Sequence, residues 1–383
     1  MRKTLPGTLA AALFATAAVA AAAVLITREP RTALASEGVR VTTSLTSTRA
    51  AAEIEGTWTI TPNREDGRLQ LNLSYENNSN WGRGIDRADL AGLSDEAMNA
   101  TVSTPVAFRI QREAGVFDME GAFREGRGAG HFRFTPDRGF ASTLRSLGVA
   151  DAERATDRDL MNLAMADASA ANVRALMGME LGRIDLESLV ELSIFNVTPE
   201  YVREMRSLGI AANSVEGVVE LRIHGISTRY VRELESIGYR DLDRRQLLDM
   251  GIHGVTVERV REFQALGYRD LPAKDLVDMR IHGVTPAYIR ELREAGFGDL
   301  TPGAMVEMRI HRVTPQFVRE LETLGYRDLS RRQLLDMGIH GVTPAFIREV
   351  REAGFNDLSP ETLVQMKIHG IGSDYVRTRR RGE

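Results

Sequence analysis

The chain has no cysteine anywhere in its 383 residues. Disulfides, thiolate nucleophiles and cysteine-ligated zinc are therefore excluded. Lysine is scarce as well: Lys3, Lys274 and Lys367 are the only three, so nearly all positive charge is arginine. Net charge is also slight, a formal −4, which gives no general attraction to nucleic acid or to an anionic membrane. Catalytic signatures are missing: there is no HExxH pair and no GxSxG elbow. Gly126-Arg-Gly-Ala-Gly130 superficially resembles a phosphate loop, but it lacks the Gly-Lys-Ser/Thr ending and lies between two strand patterns, so it reads as a hairpin turn. The chain reads as non-enzymatic, with no cofactor.

What is present starts with a targeting segment. Arg2 and Lys3 precede an apolar run from Leu9 to Ile26, and Ala33-Leu34-Ala35 matches a small-x-small cleavage site. Residues 1–35 read either as a cleaved signal peptide or as a retained membrane anchor. Both readings place the rest outside the cytoplasm, in the periplasm or on the outer face of the inner membrane. Residues 36–51, rich in Ser, Thr and Ala, read as a linker.

Over 52–135 the apolar period is two. Ile54, Trp58 and Ile60 share a face, as do Leu69, Leu71, Leu73 and Tyr75. A polar stretch surrounds Trp81, and alternation returns at Val106, Phe108 and Ile110, then at Phe117, Met119 and Phe123, then at Phe132 and Phe134. Five or six antiparallel strands with one buried face are expected, as a small barrel or a curled sheet.

Beyond about Thr135 the pattern turns helical and repeats itself. His224, His253, His282, His311, His340 and His369 are each 29 residues apart. Full units run over 197–225, 226–254, 255–283, 284–312, 313–341 and 342–370, with a partial unit from Ile371. Residues 136–196 read as degenerate capping units. In the unit 284–312, Thr285 is an N-cap, Pro286 opens the helix, and Gly296 closes it in a Schellman turn with Phe297 following. Thr301 and Pro302 start a second helix, whose expected apolar face is Met305, Val306, Met308 and Ile310. Asp243 with Gln246, and Ser330 with Gln333, match capping boxes. Pro272 stands where an N-cap is expected and Arg312 where a stop glycine is, so those ends should be weaker.

Helices of about ten residues are marginal alone. About eleven apolar residues per unit must be covered by the next unit. The expected fold class is α+β: a small antiparallel β-domain (52–135) followed by an α-solenoid-like hairpin array (197–383). A gently curved right-handed solenoid and a compact bundle are the two forms considered.

Two columns are candidate surfaces. The histidines each follow a carboxylate by four residues (Glu220, Asp249, Asp278, Glu307 and Asp336, with Gln365 in the sixth unit). They could bind metal or sense acid. One carboxylate and one imidazole are half of a zinc site, however, so a helix cap is the simpler role. Arg203, Arg232, Arg261, Arg290, Arg319 and Arg348 are each followed by an acidic residue, a glutamate. Stacking would align them as inter-repeat ion pairs or as an interaction stripe. His131, the one histidine outside the array, has no partner assignable by spacing. The tail 377–381 (Arg-Thr-Arg-Arg-Arg) is locally basic and reads as a solvated terminus.

The hairpin Phe123-Arg-Glu-Gly-Arg-Gly-Ala-Gly-His-Phe-Arg-Phe-Thr-Pro-Asp137, together with the phrase Met-Arg-Ile-His-Gly-Val-Thr-Pro-x-Tyr/Phe-Ile/Val-Arg-Glu-Leu, resembles the extracytoplasmic C-terminal regions of sensor proteins of the β-lactam-sensor antirepressor (Bla regulator) type. The resemblance covers roughly 53–383 and implies a sensing or signalling context. In such proteins the peptidase is a separate membrane domain carrying HExxH. That domain is not found here, so protease activity does not carry over, and neither does β-lactam acylation. The expected function is a non-enzymatic interaction or regulatory module that binds another envelope protein or polymer, with no nucleic acid and with membrane contact only through an uncleaved N-terminus. Small-ligand binding inside the β-domain and metal binding by the histidine column are the alternatives.

Overall fold

The computed structural model describes residues 54–63, 67–75, 79–298 and 300–372. The expected signal or anchor, the linker and the basic tail lie outside the described residues. Among the described residues no helix is long and apolar enough to cross a membrane.

Period-two alternation yields six strands: β1 (Ile54–Pro62), β2 (Leu69–Tyr75), β3 (Ser79–Ile85), β4 (Thr104–Arg112), β5 (Gly115–Arg124) and β6 (Arg127–Pro136). They form one antiparallel sheet in the order β3-β2-β1-β6-β5-β4. The sheet is open, with β3 and β4 as its edges, so of the two expected forms it is not the closed barrel. The stretch around Trp81, read above as a polar interval, is strand β3, with Trp81 opposite Leu73. Gly82, Arg83 and Gly84 hid its alternation. The glycine-rich hairpin is also tighter than expected. Only Glu125 and Gly126 turn, both at positive φ (51° and 76°), as a two-residue hairpin requires. Gly128 and Gly130 belong to β6.

The sheet buries Trp58, Phe108, Phe117, Phe123, Phe132 and Phe134. A short helix α1 (Asp95–Asn99) packs against β4–β6. Residues from both edges of the sheet line one small cavity, together with Ala164 and Met165, so the sheet curls. Its closure is pinned by arginines. Arg83 donates to the Met165 carbonyl at 2.7 Å, and Arg112 pairs with Asp89 at 3.1 Å and with Asp167 at 3.0 Å. Burial lowers the pKa of Arg83.

The degenerate segment contributes α2 (Arg138–Ser146), α3 (Asp157–Ala166), α4 (Ala170–Met177) and α5 (Leu186–Ile194). The six full units add two helices each: α6 (Pro199–Ser207) and α7 (Val215–Ile223), α8 (Thr228–Ser236) and α9 (Arg244–Ile252), α10 (Val257–Ala265) and α11 (Ala273–Ile281), α12 (Pro286–Glu294) and α13 (Pro302–Ile310), α14 (Pro315–Thr323) and α15 (Arg331–Ile339), α16 (Pro344–Glu352) and α17 (Pro360–Ile368). Each helix packs on the next but one, giving two rows. Even-numbered helices from α4 to α16 form one row and odd-numbered helices from α3 onward the other. This is the solenoid-like stacking expected of hairpins that cannot bury their own apolar faces.

The caps are as the sequence implied. The Thr285 hydroxyl accepts from the Tyr288 N–H, and Pro286 is the first helical residue. Gly296 sits at φ +86°, with Phe297 N donating to the Leu292 carbonyl and Gly296 N to that of Arg293, the two bonds of a Schellman turn. Pro272 provides no side-chain cap for α11. Arg312 is forced to φ +59° to make the bend that glycine makes in its sister units. Arg312→Gly should therefore raise the unfolding free energy by roughly 0.5–1 kcal/mol. A urea melt showing lower stability would mean that the arginine side chain holds something the bend does not require.

Neighbouring units are also tied by polar bonds that the sequence does not announce. The hydroxyls of Tyr201, Tyr230 and Tyr288 donate to the carbonyls of Ile226, Val255 and Val313, at 2.8, 2.7 and 3.0 Å. Long side chains reach back to carbonyls that end helices in the preceding unit and lack intrahelical donors. Arg222 Nε meets Phe195 O at 2.8 Å, Arg206 Nη2 meets Met179 O at 2.7 Å, and Arg293 Nη2 meets Leu266 O at 2.6 Å. The guanidinium groups of Arg222 and Arg309 also lie over the Tyr201 and Tyr288 rings. Burial pushes the Tyr230 and Tyr288 phenols up to about 12. A phenol that ionises near 10 when unfolded contributes its full stabilisation below that pH and loses it as pH rises toward 12. Alkaline unfolding of the array should therefore fall between about pH 10 and 12, and it should move higher in Tyr230→Phe/Tyr288→Phe. Circular dichroism across an alkaline titration reads this, and unfolding complete below pH 10 would contradict it.

Residues 244–254 and 331–341 are identical in sequence and 87 residues apart, so a three-unit period overlies the 29-residue one. In α9 and α15 the reach-back position is Gly251 or Gly338. A Cβ there would lie 2.6 Å from the His224 carbonyl oxygen or 2.3 Å from that of His311. Those helices approach the preceding unit by direct backbone contact, without an arginine between them.

Candidate functional site

The cavity under the sheet's curled edges is about 20 Å³, the space of a single water. The outer face is more open. Register places Thr57 opposite His131, and His131 opposite Glu120, in one row across β1, β6 and β5. Glu55, Arg133 and Asp118 form the next row and edge a shallow depression of about 400 Å³. His131 therefore has a carboxylate and a hydroxyl beside it, which spacing alone could not assign. Among the described residues no hydrogen bond joins these three side chains. Arg133 pairs with Glu55 at 3.1 Å and Arg109 with Asp118 at 2.5 Å, so charge on this face is largely balanced in place.

The arginine column lies on the first helix of each unit. Arg203, Arg232, Arg261, Arg290, Arg319 and Arg348 are all exposed. Arg232 reaches Glu204 of the unit before at 3.5 Å, and Arg319 reaches Glu291 at 3.7 Å, while Arg203 pairs with Glu200 on its own helix. Exposed pairs of this kind contribute about 0–1 kcal/mol each.

The histidine column sits at the end of the second helix. His224, His253, His282, His311, His340 and His369 are each the C-cap residue. Each backbone N–H donates to the carbonyl four residues back. Three of the five preceding carboxylates have other partners: Glu220 pairs with Arg244, Asp278 with Lys274 and Asp336 with Arg332. Among the described residues no three His, Asp or Glu side chains converge as a metal site would need.

One feature was missed by reading every apolar residue of a unit as core. Ile310 was expected on the buried face of its helix, but it is 51% exposed, whereas Met305 and Met308 are fully buried. At 100° per residue, Ile310 stands some 200° round from Met308, on the solvent side. The same holds in every unit. Ile194, Ile223, Ile252, Ile281, Ile310, Ile339 and Ile368 are exposed between 44% and 51%. They form a ladder, one rung per odd-numbered helix from α5 to α17, each beside a cap residue and three residues after Glu191, Glu220, Asp249, Asp278, Glu307, Asp336 or Gln365. The signal was available in the sequence: Met-x-Ile spacing cannot place both residues on one helical face.

No family model matches the chain, and neither a curated protein nor a solved structure matches it.

Proposed function

We propose that this chain is a non-enzymatic repeat protein that docks a polypeptide on its helical array, in a sensory or regulatory role outside the cytoplasm. The isoleucine ladder carries the reading. Scattered exposed apolar residues need no explanation, but a contiguous repeated row marks an interaction surface. These side chains are half in water at every rung, so packing within the array leaves half of each uncovered. The N-terminal leader pattern and the resemblance to the extracytoplasmic regions of Bla regulator sensors support the location and the regulatory role. The ladder, rather than the arginine column, is the favoured face because the arginines are followed by glutamates that cancel their field.

Photo-cross-linking in cells tests this. A photoreactive residue replacing Ile281 should give a discrete adduct of defined mass, and its yield should fall when Ile252 and Ile310 are serine. The same probe at Arg290 should give little. No adduct from position 281, or one from position 290 alone, would remove the ladder from the docking role.

A further inference from the structure

The ladder is not uniform in charge along its length, and this identifies what would lie on it. Over units 226–341, acidic and basic residues balance, 18 against 18. Over 136–196 there are ten Asp and Glu against six Arg. The excess gathers where the ladder starts. Glu187, Glu191 and Ile194 fall on one face of α5, at positions i, i+4 and i+7. Glu216 of α7 lies close enough to act on Glu191, whose carboxyl is held above its ordinary pKa by burial and then by Glu187, Glu216 and Asp185. Beside them a depression of about 530 Å³ is lined by Asp151, Asp159 and Glu187, with Arg154 and Val190. Asp151 and Asp159 hold fixed positions there, because each also accepts a backbone N–H, from Leu186 and Thr156 respectively. Further along, a carboxylate precedes each isoleucine by one turn, up to Asp336.

We infer that the ladder takes an extended, cationic polypeptide segment with an apolar side chain at about every third residue, its basic end seated at α3–α7. This rests on the array being a docking module. Apolar side chains of the partner would cover the isoleucines, and its lysines or arginines would meet the carboxylates one turn back, competing for Glu220, Asp278 and Asp336 with Arg244, Lys274 and Arg332. Packed helices are about 8–10 Å apart, and an extended polyproline-type chain rises about 9 Å in three residues, so rung and side-chain spacing agree. A second copy of the chain pairing ladder to ladder would set carboxylate against carboxylate. At the α3–α7 end the acidic excess disfavours anionic lipid and nucleic acid.

The test uses the full-length chain and two labelled 15-residue peptides, (Leu-Lys-Ser)5 and (Leu-Glu-Ser)5, followed by fluorescence anisotropy. The lysine peptide should bind at least tenfold more tightly than the glutamate peptide and weaken with salt. Its affinity should fall at least tenfold in Ile252→Ser/Ile281→Ser/Ile310→Ser, and similarly in Glu187→Gln/Glu191→Gln/Glu216→Gln. All six positions are at least partly exposed, and unchanged circular dichroism checks that the variants fold. Equal binding of the two peptides overturns the inference, as does lysine-peptide binding indifferent to the isoleucines. Tighter binding of a synthetic 371–383 peptide would overturn it in favour of self-association through the basic tail. If neither peptide binds while position 281 still cross-links, the partner chemistry fails and the docking role stands. If the cross-link is also absent, both fail.

Discussion

Gly130→Val should leave the β-sheet unfolded, and Gly121→Val should do the same. The two glycines face each other on β6 and β5. A Cβ on Gly130 would sit 1.9 Å from the Glu120 carbonyl oxygen and 2.6 Å from the Gly121 Cα, and a Cβ on Gly121 would sit 2.8 Å from the Trp58 ring. The indole of Trp58 lies across this bare patch, and its N–H donates to the carbonyls of Glu120 and His131 at 3.2 and 3.0 Å. Neither backbone strand nor a fully buried ring can retreat without losing the packing of Trp58 on Phe108 and Phe123. Overpacking costs about 1–3 kcal/mol where neighbours can shift. With backbone on one side and tryptophan on the other, the loss should exceed about 4 kcal/mol, at the extreme for single substitutions. In a Trp81→Phe background, Trp58 emission should move to the red of a water-exposed indole. A blue-shifted, native-like spectrum would show that the close approach is not required.

The second large effect contrasts two residues on one helix. Met279→Asp should break the array, whereas Ile281→Asp should cost it much less. Both positions are apolar in every unit, and they are two residues apart. Met279 is fully buried, on a helix that packs against both α9 and α13, while Ile281 is 50% exposed. A carboxylate at 279 has no cation to meet and costs several kcal/mol to desolvate. Because each unit is stabilised by its neighbours, the damage should spread, and one cooperative melt should become two. At 281 the loss should stay at about 1–2 kcal/mol, from half an isoleucine's burial and a carboxylate set at the helix C-terminus one turn from Asp278. Denaturant melts of the two variants decide. Equal losses would mean that the ladder is part of the core.

How far the sequence could be read follows from where each signal sits. Helix ends were legible because their causes are local: Thr285 three residues before Tyr288, Pro286 at the first turn, Gly296 at the bend. The helical pairing into stacked rows followed from the 29-residue period and from hairpins too short to stand alone. Strand β3 was lost because two glycines and an arginine erase its alternation. The breadth of the hairpin turn was overread because Gly128 and Gly130 lie opposite Phe123 and Trp58, on the strands either side of β6. The tyrosine and arginine ties between units were out of reach, since their partners are backbone carbonyls some 25–27 residues distant. So was the neighbour of His131, which only strand register supplies. The ladder was within reach, and was missed by counting apolar residues without placing them round the helix.

The most direct test of the ladder as a surface kept for binding is the stability of a chain carrying glutamine at Ile223, Ile252, Ile281, Ile310 and Ile339 together. A docking surface predicts an unfolding free energy within about 1 kcal/mol per site of the parent chain, because glutamine is no worse a helix former than isoleucine and its methylene stem keeps part of the half-buried contact. A loss of about 1.5 kcal/mol or more per site, the range expected for burying a whole aliphatic side chain, would show that the isoleucines hold the repeats together and would leave the array without its docking face.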